Sequence, residues 1–318
     1  MKRVYILIAL YSGICSFAFA NPAKDAPKVD GAITVTTTIF PFYDFTRAIA
    51  GDKVNLALLL PPGAESHSFE PTPRDMTTIR NSDIFIYNGG ESDSWVDKIL
   101  NSSDTPNMKI IRLMNAVDVV EEEIVEGMEE EDEEEAHGEE IDPEYDEHIW
   151  TSPQNVVRIV RVITDSLCEK DSANADLYRR NAASYIVKLN ELDAAFQTVV
   201  NNASRKTIVF GDRFPFRYFA DAYGLSYFAA FPGCSTETEP SAATVAFLID
   251  KIRAEKIPVV FHLELSNERM ADAIAAETGA KKRLLHAVHN ISKRDLDRGA
   301  TYLELMTRNI DALREALQ

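Results

Sequence analysis

Short apolar runs alternate with amphipathic stretches along the chain. The apolar runs are rich in β-branched and aromatic residues and predict strands at Ile33–Phe40, Val54–Pro61, Ile84–Asn88, Lys109–Leu113, Thr207–Phe210, Ser226–Phe231, Pro258–Glu264 and Arg283–His286. Apolar residues at helical spacing lie between them, for example in Asp44–Gly51, Ala242–Ala254 and Ser266–Thr278. Because strands that alternate with helices form parallel βα units, the pattern predicts an α/β fold with two lobes, each with a parallel sheet.

A long helix is predicted between the two halves. Residues 174–203 contain neither Gly nor Pro, and apolar residues recur along them at helical spacing. Some 28 helical residues would span about 40 Å, more than one compact domain requires. We therefore expect a rigid helix at 174–203 that joins an N-terminal lobe (21–173) to a C-terminal lobe (204–318). Such a connector would disfavour a wide hinge motion between the lobes.

The first twenty residues have the features of an export signal. Lys2 and Arg3 precede an apolar stretch, Val4–Ile14, and Ala18-Phe19-Ala20 forms a small-x-small cleavage site. The apolar stretch is shorter than the roughly 20 residues of a membrane span. Residues 1–20 are thus predicted to be a signal peptide, and the mature protein is placed in the periplasm. Lipid attachment at Cys15 is the alternative, but a bulky isoleucine stands just before that cysteine.

Charge is concentrated in one segment. The formal net charge is −18, and residues 121–147 carry seventeen Asp or Glu with no Lys or Arg, so the remainder is almost neutral. A content of 45% hydrophobic and 9% aromatic residues excludes a disordered chain. The negative charge and the lack of a basic block argue against nucleic-acid binding. Residues 121–147 are predicted to be a loop, because the seven consecutive acids at 129–135 repel one another.

Two cysteines, Cys168 and Cys234, follow the predicted cleavage site. In an exported protein they either form one disulfide or remain separate thiols, and the sequence leaves both possibilities open.

Five of the six histidines fall near predicted strand or loop ends: His67, His148, His262, His286 and His289. Ligands of open α/β sheets bind beyond the carboxyl ends of the strands. Several imidazoles that converge there would suit a metal. A single histidine at a strand end is more often hydrogen-bonded or solvated, so the pattern alone leaves the metal site open. The sixth, His137, lies in the acidic segment and is either solvated or a weak accessory ligand.

Several strings in the chain resemble motifs of one family. Residues 61–75, which read Pro-Pro-Gly-Ala-Glu-Ser-His-Ser-Phe-Glu-Pro-Thr-Pro-Arg-Asp, resemble the first metal-ligand loop of the zinc and manganese solute-binding proteins of ABC transporters. Residues 82–90 are similar to the next strand and turn of that family, and His148-Ile-Trp-Thr-Ser-Pro to its second ligand motif. The acidic segment stands where zinc-uptake members carry a His-rich or acidic loop. The resemblance runs from about Ile33 to the C-terminus.

This resemblance implies two α/β lobes joined by a backbone helix, with the metal bound in the cleft between them. It assigns the first two ligands to His67 and His148. The third family position corresponds to Gly211, which has no side chain, and the fourth to His286. His262 would then enter from a neighbouring strand, so the expected ligands are His67, His148, His262 and His286. Three residues are alternates: Asp212, Glu264 and His289.

A set of imidazoles favours Zn²⁺ over Mn²⁺, which prefers oxygen ligands. The resemblance therefore implies a monomeric zinc carrier, peripheral to the membrane, that serves a permease and its ATPase. Capture of Mn²⁺ or Fe²⁺ is an alternative, as is an exported zinc hydrolase, although neither a His-Glu-x-x-His helix nor a Gly-x-Ser-x-Gly elbow occurs. Some relatives are named as adhesins, but only the export signal agrees with that role. The acidic segment is either a cation-concentrating funnel at the cleft or a solvated spacer.

Overall fold

The computed structural model describes residues 29–101, 106–128, 144–235 and 240–318. The predicted signal peptide with Cys15 lies outside the described residues, as do His137 and most of the acidic segment.

The first lobe is built on a four-stranded parallel sheet. Its strands and helices are β1 (Thr34–Thr37), α1 (Phe40–Ala50), β2 (Asn55–Leu58), α2 (Pro73–Arg80), β3 (Ile84–Tyr87), α3 (Ser94–Asn101) and β4 (Lys109–Arg112). The strand order is β2-β1-β3-β4, and all pairs are parallel. The four residues of β3 are buried without exception, as expected for a central strand covered by helices on both faces.

Two long helices follow, α4 (Pro153–Lys170) and α5 (Ala175–Asn201). The 27 residues of α5 span about 40 Å. Its buried side chains recur every three or four residues and form one face: Tyr178, Ala182, Tyr185, Leu189, Leu192, Phe196 and Val199. This face explains why a segment of modest apolar content is helical, since burial of the face stabilises the helix. The helix lies within the predicted range 174–203, whereas the predicted lobe boundaries stay a prediction.

The second lobe repeats the parallel arrangement with shorter strands. Its elements are β5 (Thr207–Val209), β6 (Arg213–Phe214), α6 (Arg217–Tyr223), β7 (Ser226–Phe228), β8 (Phe231–Pro232), α7 (Ala242–Glu255), β9 (Val259–His262), α8 (Arg269–Thr278), β10 (Lys281–Leu284), α9 (Lys293–Asp297) and α10 (Tyr302–Leu317). The pairs β10–β9, β5–β7 and β6–β8 are all parallel. A parallel bridge between Phe210 and Phe261 connects β5 to β9. The α/β fold with parallel sheets is thereby confirmed.

The two lobes are connected by buried hydrogen bonds as well as by α5. The carboxylate of Asp44 accepts a bond from the backbone N–H of Tyr302 (2.7 Å), and the Tyr302 hydroxyl donates to the carbonyl of Trp150 (2.8 Å). The indole N–H of Trp150 donates in turn to the carbonyl of Ala287 (2.8 Å). Because α1 and α10 also pack on α5, one apolar core runs through both lobes.

The observed strands are mostly shorter than the predicted ones, and two of the differences change the account of the elements. Phe40 begins α1 instead of ending β1, because Pro41 occupies the first helical turn, where its fixed φ favours a helix start. The last strand ends at Leu284, which pairs with His262, and not at His286. His286 therefore lies in the loop beyond the sheet, and its backbone N–H is held by the Asn309 side chain of α10 (2.8 Å).

The ends of the acidic segment are ordered against the rest of the protein. Glu121 and Tyr145 form an antiparallel bridge, which brings the two ends of the segment together. The carboxylate of Glu122 accepts a hydrogen bond from the backbone N–H of Cys234 in the second lobe (2.9 Å). The segment thus leaves and rejoins the fold beside the second lobe. Cys234 and Cys168 are both free thiols, so the possible disulfide between them is not formed.

Across the described part of the chain, no helix combines the length and apolarity that a membrane span requires.

Candidate metal centre

His67 lies in the loop between β2 and α2, and the second lobe holds that loop in place. The side-chain amide of Asn290 donates to the carbonyls of Pro61 (2.9 Å) and Ala64 (2.7 Å). The hydroxyl of Ser92 lies 2.8 Å from Nδ1 of His67, and Nε2 is thereby left to face a metal. The pKa of His67 is lowered to about 4, chiefly by burial of the ring and secondly by the nearby His148, so the ring is neutral at pH 7.

His148 ends the connection that returns from the acidic segment and precedes the short turn Ile149–Thr151. Its side chain is 1% exposed, and its Nδ1 lies 3.2 Å from Oδ1 of Asp146. Burial of the ring opposes a positive charge, but Asp146 and then Glu147 outweigh this effect and raise the pKa of His148. Such a carboxylate–histidine pair fixes the ring orientation and is typical of metal sites.

His289 lies in the loop after β10. The Glu264 carboxylate shapes this loop by accepting hydrogen bonds from the backbone N–H groups of Ala287 (2.7 Å) and His289 (3.1 Å). Val288, between them, has φ of 60°, a strained conformation for a β-branched residue. Burial, followed by the charges of His148 and His67, lowers the pKa of His289 well below its usual value. The loop thus presents a neutral imidazole.

These three rings form one cluster. The ring centroids of His67 and His148 are 5.8 Å apart, those of His67 and His289 5.3 Å, and those of His148 and His289 5.1 Å. One ligand atom from each ring lies within 4.8 Å of the other two. Tetrahedral zinc with bonds of about 2.0–2.1 Å needs donors about 3.4 Å apart, so a shift of about an ångström would bring the three nitrogens to that spacing.

Two of the four expected ligands lie outside this cluster. Nδ1 of His286 accepts a hydrogen bond from the backbone N–H of Val288 (3.0 Å), and Nδ1 of His262 lies 3.1 Å from the Leu263 carbonyl. Within the described ranges, the group that could hold a metal consists of His67, His148 and the alternate His289. Because β10 ends at Leu284, both His286 and His289 lie in the loop that follows it. The backbone of His286 bonds Asn309 of α10, whereas His289 lines the cleft cavity.

A cavity of about 140 Å³ opens beside the three rings. Three carboxylate residues contribute to its lining, the alternates Asp212 and Glu264 and also Glu65. Arg213 lines it as well, and its guanidinium bonds Glu65 across the cleft (3.0 Å). Charged side chains from both lobes therefore line the cavity.

Gly211 cannot be replaced by a ligand without rearrangement. A Cβ atom there would lie 2.8 Å from the Cα and 2.9 Å from the N of Ala271, at the start of α8. Real Cβ atoms do not approach backbone this closely, so the packing of α8 on this strand end requires glycine. Because α8 approaches so closely, this position has no room for the side chain of a metal ligand.

Some residues around the site have roles that the sequence did not indicate. Ser92 and Asp146 each contact one imidazole of the cluster, and Glu264 shapes the loop of His289. Asp146 offered a usable signal, since it stands two residues before His148. Ser92 offered none, because a serine in a turn has many ordinary roles.

Comparison with known proteins agrees with this architecture. The sequence profile described as "ZnuA: Zinc-uptake complex component A periplasmic" matches residues 35–316. The chain belongs to the ZnuA family.

Two related proteins and one crystal structure illustrate the similarity to the ZnuA family. The chain is 32% identical over 316 residues to the zinc-binding lipoprotein AdcA of Streptococcus pneumoniae (strain ATCC BAA-255 / R6), covering 99% of this chain and 61% of AdcA. It is 31% identical over 321 residues to the high-affinity zinc uptake system protein ZnuA of Bacillus subtilis (strain 168), covering 99% and 97% of the two chains. The crystal structure of the Zn(II)-bound ZnuA-like domain of S. pneumoniae AdcA superposes with a TM-score of 0.74 at 30% identity, covering 90% of this chain and 99% of that one. The chain thus spans 61% of the length of pneumococcal AdcA and nearly all of the B. subtilis protein.

Proposed function

We propose that this protein is an extracytoplasmic carrier that captures Zn²⁺ through His67, His148 and His289 and delivers it to the permease of an ABC transporter. The observation that carries the proposal is the cluster of three imidazoles, whose ligand atoms lie within 4.8 Å of one another beside the cleft cavity. The names of the relatives support the metal, since AdcA is named as zinc-binding and the B. subtilis protein as part of a high-affinity zinc uptake system.

The chemistry of the site supports zinc over manganese. Imidazole nitrogen suits Zn²⁺, whereas Mn²⁺ prefers carboxylate and water oxygens. Two of the three rings, His67 and His289, have lowered pKa values, so they need not lose a proton to bind a cation. Two neutral imidazoles are thus available to coordinate a metal, which suits a carrier.

This ligand set revises the one expected from the sequence, because His289 takes the place given to His286 and His262. Export by the N-terminal signal, attachment to the outer side of the membrane and action as a monomer belong to the proposal. The ATPase is the further partner that an ABC permease requires. No catalytic step is proposed.

The test is zinc affinity measured by competition with a fluorescent chelator on metal-stripped protein. Replacement of His67, His148 or His289 by alanine should each weaken binding by at least about 100-fold, since each removes one coordinate bond. His262→Ala serves as the matched control, because this histidine lies in the second lobe, as His289 does, but outside the cluster. The affinity of this variant should stay within about threefold of that of the unmodified protein. Loss of affinity in the control, with retention in His289→Ala, would disprove the assignment.

A further inference from the structure

The three imidazoles leave one position of a tetrahedral zinc shell open toward the cavity. Tight, non-catalytic zinc sites are usually closed by four protein ligands. Among the described residues that line this cavity, three side chains offer a carboxylate oxygen: Glu65, Asp212 and Glu264. The question is which of them is free to move to the metal.

Both carboxylate oxygens of Asp212 and of Glu264 accept hydrogen bonds from backbone N–H groups. Asp212 accepts hydrogen bonds from the backbone N–H groups of Arg213 (2.9 Å) and Leu263 (3.1 Å), one to each oxygen. Glu264 likewise uses both oxygens to hold the loop that carries His289. Withdrawal of either carboxylate would leave backbone donors unpaired and distort the loops that shape the site.

Glu65 is bonded differently. Its Oε1 accepts from the backbone N–H groups of Ser66 (3.0 Å) and His67 (3.3 Å), which keeps the side chain beside the first histidine. Its Oε2 lies 3.0 Å from Nη2 of Arg213 in the other lobe. The two side chains are 47% and 22% exposed, respectively, and an ion pair open to solvent contributes little stability. Oε2 can leave Arg213 without breaking a backbone hydrogen bond, and Arg213 keeps its bond to the Ser235 carbonyl (3.0 Å).

We propose that Glu65 is the fourth zinc ligand of the loaded protein and that Arg213 holds its carboxylate in the metal-free state. This inference rests on the function proposed above. Zinc and the Arg213 guanidinium compete for one oxygen atom, so the arginine lowers zinc affinity. Loading of the site moves the carboxylate from one cation to the other and leaves the guanidinium of Arg213 without its carboxylate partner at the cleft.

The competition predicts opposite effects for the two partners. Glu65→Gln should weaken zinc binding by about 10–100-fold, because an amide is a poor zinc ligand. Arg213→Met, which keeps much of the side-chain bulk, should tighten it severalfold. Glu70→Gln is the matched control: it removes one negative charge from the same loop at an exposed position and should change the affinity by less than twofold.

The zinc affinities of the unmodified protein and of the variants distinguish the possible outcomes. If Glu65→Gln and Arg213→Met both weaken binding to a similar extent, the pair only holds the lobes together and the inference is wrong. Unchanged affinity in both variants, with binding lost in His67→Ala, would also overturn the inference while the proposed function stands. Absence of zinc binding in the unmodified protein, or retention of it in His67→Ala, would instead refute the proposed function. Thermal unfolding of each metal-free variant shows whether it is folded.

Discussion

Nδ1 of His148 lies 3.2 Å from Oδ1 of Asp146, and both side chains are 1% exposed. The same oxygen accepts a hydrogen bond from the backbone N–H of His148 (2.7 Å), so Asp146 fixes both the ring and the start of the turn that follows. In a protein interior, such a pair favours the protonated ring in the metal-free state. The other two histidines of the cluster have lowered pKa values, so in the proposed site protons would compete with zinc at His148.

Zinc affinity should therefore fall as the pH decreases through the raised pKa of His148, which lies above the ordinary value of 6.5. Below that pKa the ring carries a proton that zinc must displace. His67, with a pKa of about 4, stays neutral over the same range and should not contribute. Chelator competition between pH 5.5 and 8.5 measures this dependence. An affinity that is constant from pH 8 down to pH 6 would contradict it.

Asp146→Asn should distinguish two effects of Asp146 on His148: orientation of the ring and stabilisation of its protonated form. At pH 8 the variant should bind zinc about 10-fold or more weakly, since partners of metal-bound histidines contribute about 10–100-fold to affinity. Its pH dependence should move to lower pH, because the charge that raises the pKa of His148 is gone. Asp118→Asn, at a surface position paired with Arg158, is the control and should change neither quantity. A variant that loses affinity with an unchanged pH profile would show that Asp146 acts only on structure.

Ser92→Ala should weaken zinc binding by about 10-fold, because the Ser92 hydroxyl fixes Nδ1 of His67 at 2.8 Å. Ser68→Ala, one residue beyond His67 at an exposed position, should leave the affinity unchanged. The measurement is again chelator competition on metal-stripped protein. Equal affinities of the two variants would show that the Ser92 contact does not position the ring.

Some of this site could be predicted from the sequence. His67 and His148 stand in motifs with recognisable neighbours, and the structure brings both into one cluster. The choice between His286 and His289 depends on where β10 ends, and that end is set by pairing with β9 and by the Asn309 contact from α10. Neither contact is local in the sequence, so a pattern of apolar residues could not decide between two histidines three positions apart.

The strands themselves were easier to predict than their ends. Runs such as Ile84–Tyr87 are apolar throughout, because both faces of a parallel sheet are covered. The role of Gly211 was harder to predict, since the sequence shows only that this position has no side chain. Its physical reason is the approach of α8, a contact between segments about sixty residues apart.

Gly211→Ala should lower the free energy of unfolding by on the order of 1–3 kcal/mol, because the added Cβ atom meets the backbone of Ala271 and α8 must shift. Ala271→Gly should not rescue it, since the two nearest atoms belong to the main chain of residue 271. Urea unfolding of the metal-free proteins measures both effects. An unchanged unfolding midpoint for Gly211→Ala would mean that this strand end has room for a side chain.

Asn290→Ala should lower the free energy of unfolding by on the order of 1–3 kcal/mol, because two carbonyls in the His67 loop lose their donor. It should also weaken zinc binding, since the loop that carries the first ligand is no longer held to the second lobe. Asn115→Ala, at an exposed position of the first lobe, is the control and should alter neither property. Loss of stability without loss of affinity would show that the loop is positioned by other contacts.

The position of Trp150 has a practical consequence. Its buried ring lies 4.8 Å from the ring of His289 and 5.4 Å from that of His148, measured between centroids. The chain has two tryptophans, and the other, Trp95, packs on Phe69 instead. A metal that draws the imidazoles together changes the surroundings of one indole directly, so the intrinsic fluorescence of the protein provides an optical readout of occupancy without any added dye.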